Sequence, residues 1–127
     1  MSSIEQIPPH IRQQLARLAQ IEQMLINVVT RRQQWEAELR EIEHAIDEIS
    51  KLPQGAVVYK SVSNLLFRVE RDKALSELNE RKETVELHIK TLQRQESLLR
   101  RQLEELRKRV SEEMSKLQGG GSVAEKS

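Results

Sequence analysis

The chain has 127 residues, enough for one domain, but a single Trp, Tyr and Phe against 32% charged residues argue against a compact globule and for long helices or a coiled coil. Its 21 basic and 20 acidic residues leave a formal net charge of +1, so there is no one-sided basic field of the kind that holds nucleic acid or a membrane surface. The absence of cysteine removes disulfides, thiol catalysis and thiolate metal sites. No apolar run nears the roughly 20 residues that cross a bilayer, and the N-terminus lacks a signal peptide's basic start and apolar core, so a cytoplasmic protein is expected.

Pro8 and Pro9 mark a helix start, because the first helical turn has N–H groups to spare and proline lacks one. Apolar residues then recur at Ile11, Leu15, Leu18, Ile21, Leu25, Val28, Trp35, Leu39, Ile42, Ile46 and Ile49. From Ile21 the steps alternate four and three, with Arg32 filling the one polar position, a heptad seam. The three-residue steps at Leu15, Leu18 and Ile21 predict a local break of phase. Pro53 and Gly55 end this helix, which is expected over 8–50.

The next segment is the one dense in β-branched and aromatic residues. Ala56-Val-Val-Tyr-Lys60 and Leu65-Leu-Phe-Arg-Val69 flank Ser61-Val-Ser-Asn64, which predicts a β-hairpin over 56–69 with its tight turn at the serines and Asn64. A lone two-stranded hairpin is marginal in water, and its edges and apolar face call for other hairpins. Val57, Val58, Tyr59, Val62, Leu65, Leu66, Phe67 and Val69 are therefore the candidate oligomerisation residues. A loop lying covered on the helix ends is the alternative.

The second helix is predicted over 71–117. Leu75, Leu78, Lys82, Val85, Ile89, Leu92, Glu96, Leu99, Leu103, Leu106, Val110, Glu113 and Leu117 keep the three-four alternation without a slip, and ten of these thirteen are apolar, which decides for a coiled coil. Acid precedes base by four residues at Glu36/Arg40, Glu77/Arg81, Glu104/Lys108 and Glu105/Arg109, each pair favouring helix by a few tenths of a kcal/mol. Gly119-Gly-Gly-Ser122 punctuates the end, and 118–127 is expected to be a disordered tail. Pairing positions whose numbers add to 124 brings the two seams together: Ile46 with Leu78, Leu39 with Val85, Trp35 with Ile89, Ile21 with Leu103. The expected fold is thus mainly α, a long antiparallel two-helix coiled-coil hairpin with a short β-hairpin at its bend.

Chemistry is sparse. His10, His44 and His88 are isolated and expected to be solvated helix residues, and a coil offers no concave pocket to tune a carboxylate. No phosphate-binding glycine loop precedes a helix. The Arg100-Arg101 and Arg107-Lys108-Arg109 clusters are interleaved with Glu104 and Glu105, a solvated face rather than a nucleic-acid stripe. No catalytic, cofactor-binding or metal-binding residues are expected, and no enzyme.

Pro53, then Ala56-Val-Val-Tyr-Lys-Ser-Val-Ser-Asn-Leu-Leu-Phe67, leading into a helix through Asp72-Lys-Ala-Leu75, resembles the central segment of the β-type subunits of the prefoldin family. The resemblance extends through Ile7-Pro-Pro9, Val28-Val29 and the Gly-rich tail, so that residues 1–127 read as a single prefoldin-like domain. One hairpin between the helices is the β-type pattern; α-type subunits carry two. The family often has Gly where Ser63 stands, which puts the positive φ at Asn64 here. The absence of cysteine and the abundance of Arg and Glu suit an archaeal member. The resemblance implies an ATP-independent chaperone. Its hairpins join in a multi-subunit β-barrel within a hetero-hexamer of two α and four β subunits, and its coil tips capture unfolded client proteins for a group II chaperonin. The tip residues by this reading are Ile4, Ile7, Ile11, Leu15, Val110, Met114 and Leu117; the residues alone fit equally well with closing the end of the coil. A structural coiled-coil adaptor binding one specific folded partner is the competing function.

Overall fold

The computed structural model describes the backbone of residues 6–126 and the side chains of residues 6–118, so Ile4 lies outside the described residues. The order is α1 (Pro9–Ser50), β1 (Val57–Val62), β2 (Leu65–Glu70) and α2 (Arg71–Lys126). At the start of α1 the Pro8 carbonyl accepts from the amides of Ile11 and Arg12, both at 3.1 Å, while Pro9 fills the first helical position, where no N–H is needed. At the other end Pro53 and Gly55 stop the helix as expected. Gly55 has φ +86° with nothing within 4 Å of where a Cβ would stand, so the dihedral and not space demands glycine there.

Helix α2 continues to Lys126, beyond the end predicted at Leu117 and into the segment 118–127 expected to be a disordered tail. Glycine costs a helix about 1 kcal/mol relative to alanine but keeps its N–H, so a helix already propagating adds one hydrogen bond per residue through it.

The chain packs as two compact units, one built from Met1–Val29 with Arg94–Ser127 and the other from Thr30–Gln93. In each, a stretch of α1 lies antiparallel to a stretch of α2. In the first unit this follows from His10 meeting Glu113 and Glu22 meeting Arg107. Its core is Ile21, Leu99 and Leu103, with Leu18, Leu25, Val28 and Leu106 packed on them. In the second, Trp35 stacks on His88 and Glu38 meets Arg81. There the core is Ile42, Val85 and Ile89, with Trp35, Leu39, Ile46 and Leu78 around it. Both sets are seam residues.

One seam position differs. Leu15 is 38% exposed, whereas Ile11 is buried and Gln14 half-buried. The three-four alternation therefore runs unbroken from Ile21 back through Leu18, Gln14, Ile11 and Ile7, with no break of phase. Regular helix pitch outweighs one leucine, and a seam tolerates an occasional polar residue.

The second unit carries the β-hairpin. Strands β1 and β2 pair antiparallel with Val57 opposite Glu70, Val58 opposite Val69, Tyr59 opposite Arg68, Lys60 opposite Phe67, Ser61 opposite Leu66 and Val62 opposite Leu65. The strands are thus longer than the sequence suggests, and the connection is the two residues Ser63-Asn64. Ser63, not Asn64, takes the positive φ, +54°. A positive φ at the first central residue alone is the sign pattern of a II′ turn, whose twist suits the paired strands.

Candidate functional site

The register divides the hairpin into two faces. Val58, Lys60 and Val62 share one with Val69, Phe67 and Leu65; Val57, Tyr59 and Ser61 share the other with Glu70, Arg68 and Leu66. Near the helices, Val57, Val58 and Val69 are half-buried. Toward the turn, Tyr59 is 69% exposed, Leu65 63% and Leu66 71%, with Val62 and Phe67 close to half exposed. Five of the eight residues singled out for oligomerisation are thus spare apolar surface, Val62, Leu65 and Phe67 on one face and Tyr59 and Leu66 on the other, of a strand pair with both edges open. Soluble monomers rarely leave so much apolar surface uncovered.

Four hydrogen bonds fix the base and aim of the hairpin. The Arg71 guanidinium donates through Nη2 to the Ser50 carbonyl at 3.1 Å and through Nη1 to Asp72 at 2.7 Å, tying the end of α1 to the start of α2. The Arg71 amide donates to the Ala56 carbonyl at 2.8 Å. Lys60 on β1 donates to Glu77 on α2 at 3.4 Å. Between the hairpin and the helices lies a largely apolar cleft of about 480 Å³, with Ile49, Val58, Val69, Ala74 and Leu78 in its wall. Just beyond α1, Asp47 and then Glu48 hold the Lys51 ammonium above the usual lysine pKa, Asp47 by hydrogen bond and charge. Sequence spacing missed these ties: Glu77 and Arg81, spaced to pair along α2, reach instead to Lys60 and to Glu38.

The candidate tip residues fall in the first unit and divide. Leu15 and Leu117 are exposed, Ile7 and Met114 half-buried, and Ile11 and Val110 buried at 1% and 8% exposure. Polar groups accompany them: His10 Nε2 lies 3.4 Å from Glu113 Oε2, and Gln14 Oε1 is buried without a hydrogen-bond donor. Apolar side chains also emerge away from the seam, with Ile26 57%, Leu98 52% and Leu87 64% exposed. A search for seam residues passes over these because they sit on outward helix positions.

Of the three histidines, His88 is exposed and also makes a ring contact that its spacing did not indicate. Its ring stacks on Trp35 at 4.5 Å and 17°, with the Arg81 guanidinium 5.5 Å from the indole. Among the described residues no group of three or more His, Asp or Glu could hold a metal ion, and no helix is long and apolar enough to cross a membrane.

The prefoldin subunit family model matches residues 12–117. The chain belongs to the prefoldin subunit family. Among curated prefoldin subunits it is 56% identical over 119 residues to prefoldin subunit beta of Pyrobaculum islandicum, covering 94% of this chain and 95% of that one. It is 51% identical over 121 residues to prefoldin subunit beta of Pyrobaculum aerophilum, covering 95% and 96%. The crystal structure of the prefoldin beta subunit from Thermococcus strain KS-1 superposes with a TM-score of 0.78 at 40% identity, covering 84% of this chain and 93% of that one. The beta2 subunit from the same strain, at 23% identity and a TM-score of 0.65, supports the fold. The expected mainly α architecture, two long helices with one two-stranded hairpin, is thus a prefoldin subunit fold of the β type.

Proposed function

We propose that this prefoldin-family chain is the β subunit of an ATP-independent cytoplasmic chaperone. Its hairpin, with Val57, Val58, Tyr59, Val62, Leu65, Leu66, Phe67 and Val69, joins those of other β subunits and an α subunit in a β-barrel. The assembly is a hetero-hexamer of two α and four β chains. The far ends of the coiled coils hold non-native proteins by brief apolar contact and release them to a group II chaperonin. The hairpin supports the assembly half of this reading: five large apolar side chains stand in water on the two faces of a strand pair whose edges are both open. Exposed Leu15 and Leu117, with half-buried Ile7 and Met114, supply the gripping surface, and Ile11, Val110 and Ile4 complete the set. Flexible Leu, Ile and Met side chains suit partners with no common sequence.

The test is suppression of aggregation of two unrelated denatured enzymes by the chain assembled with an α-type partner. Leu15→Ser with Leu117→Ser is expected to weaken suppression of both while leaving the assembly mass unchanged, since neither side chain is buried. Equal suppression by the variant refutes the tip assignment. Activity toward one folded partner only would favour a structural adaptor instead.

A further inference from the structure

The end of the first unit that carries the start of α1 is built differently from its middle. In the register that adds to 124, Ile11 comes opposite Glu113 and Gln14 opposite Val110. Each of these two terminal layers therefore pairs one apolar with one polar seam residue. Both polar residues are poorly satisfied: Gln14 Oε1 and Glu113 Oε2 are buried and accept no hydrogen bond. A buried acceptor without a donor is expensive, so these layers are weaker than the all-apolar Ile21, Leu99 and Leu103 layers further in.

One nearby group can change this. His10 Nε2 stands 3.4 Å from that same Glu113 oxygen, within ion-pair reach though not in hydrogen-bond geometry; the imidazole is 63% and the carboxylate 26% exposed. The charged residues nearest the pair along the sequence are Arg12 beside His10 on α1 and Arg109, Glu112 and Lys116 beside Glu113 on α2, while Glu5 lies outside the described residues. An imidazolium gives the buried oxygen a counter-charge and a proton donor. A neutral imidazole can leave it with neither. Histidine makes that change between pH 5 and 8.

We infer that His10 and Glu113 form a pH-set latch on this end of the coil. With His10 protonated the Ile11/Glu113 and Gln14/Val110 layers stay closed; with His10 neutral they part more often and bring Ile11 and Val110 to the surface. The inference rests on reading this end as the client-binding end, and it accounts for two candidate contact residues being buried in the closed chain: they are the reserve that opening supplies.

Amide hydrogen exchange of the full chain at pH 5.5 and 7.5, expressed as protection factors, reads the opening directly. Half-exposed ion pairs have modest strength, so protection of residues 11–18 and 106–114 is expected to be about two- to fivefold higher at pH 5.5. Residues 35–46 of the second unit serve as the unaffected control. In His10→Ala the difference disappears at the lower protection, and in His10→Arg it disappears at the higher one; the side chain is exposed enough for both variants to fold. A His10→Ala chain with the wild-type pH dependence, or a wild-type chain with none, overturns the latch. Capture of chemically denatured citrate synthase by the same variants separates the two readings. Exchange that follows the latch while capture ignores it keeps the latch and counts against the client-binding end.

Discussion

Replacing Leu65, Leu66 and Phe67 together with serine tests the hairpin as an assembly surface. In the single chain these side chains are 63%, 71% and 48% exposed, so they contribute little to its own packing. Full burial of a Leu or Phe is worth about 1.5–3 kcal/mol. Scaled by the fraction still exposed, covering the three would supply about 4 kcal/mol per chain, which serine forfeits while adding hydroxyls that need partners. At 1.4 kcal/mol per decade this is about a thousandfold in dissociation constant. Sedimentation velocity of the variant mixed with an α-type prefoldin chain, across a concentration series, should show dissociation where wild type is fully assembled. Helicity at 222 nm should stay unchanged. Assembly at wild-type affinity would refute the idea that this surface is the contact, and loss of helicity would refute the idea that it is spare.

Val85, fully buried among Ile42 and Ile89, is the most sensitive core position of the second unit. Val85→Ala removes two carbons and leaves a small cavity, costing about 2–3 kcal/mol and lowering the melting temperature on the order of 10 °C by calorimetry. Ser63→Gly should stabilise the hairpin by about 0.5–1 kcal/mol, because glycine relieves the left-handed strain at φ +54° and returns part of that gain as chain entropy. Its check is the urea midpoint together with slower exchange of the strand amides, and Ser63→Pro should do the reverse. Arg71→Met removes the charged donor from the Ser50 carbonyl and is expected to cost about 1–2 kcal/mol, seen as faster exchange around Ala56 and Ser50 with the rest of both helices unaltered.

The apolar spacing carried most of the architecture. Ile21, Leu99 and Leu103, and Ile42, Val85 and Ile89, are the two cores because a coiled-coil seam is periodic and periodicity is visible in one dimension. The bend was equally legible, since proline, glycine and a β-branched run admit few alternatives. What failed was local competition. Counting apolar residues favoured Leu15 for a position that pitch continuity gives to Gln14. Asn64 is the commoner left-handed residue, but the strand register put Ser63 at that corner. The triple glycine read as a stop, although glycine only weakens a helix. The Arg71 tie and the His10–Glu113 contact depend on which turns of different elements meet, and no single-helix pattern records that.

The stack of His88 on Trp35 makes this prefoldin subunit a self-labelled instrument. Trp35 is its sole indole, so its emission reports one layer of one coil without any dye or engineered fluorophore. Sliding of α2 along α1 by even a single residue would unstack the rings, so a shift in helix register becomes readable as light.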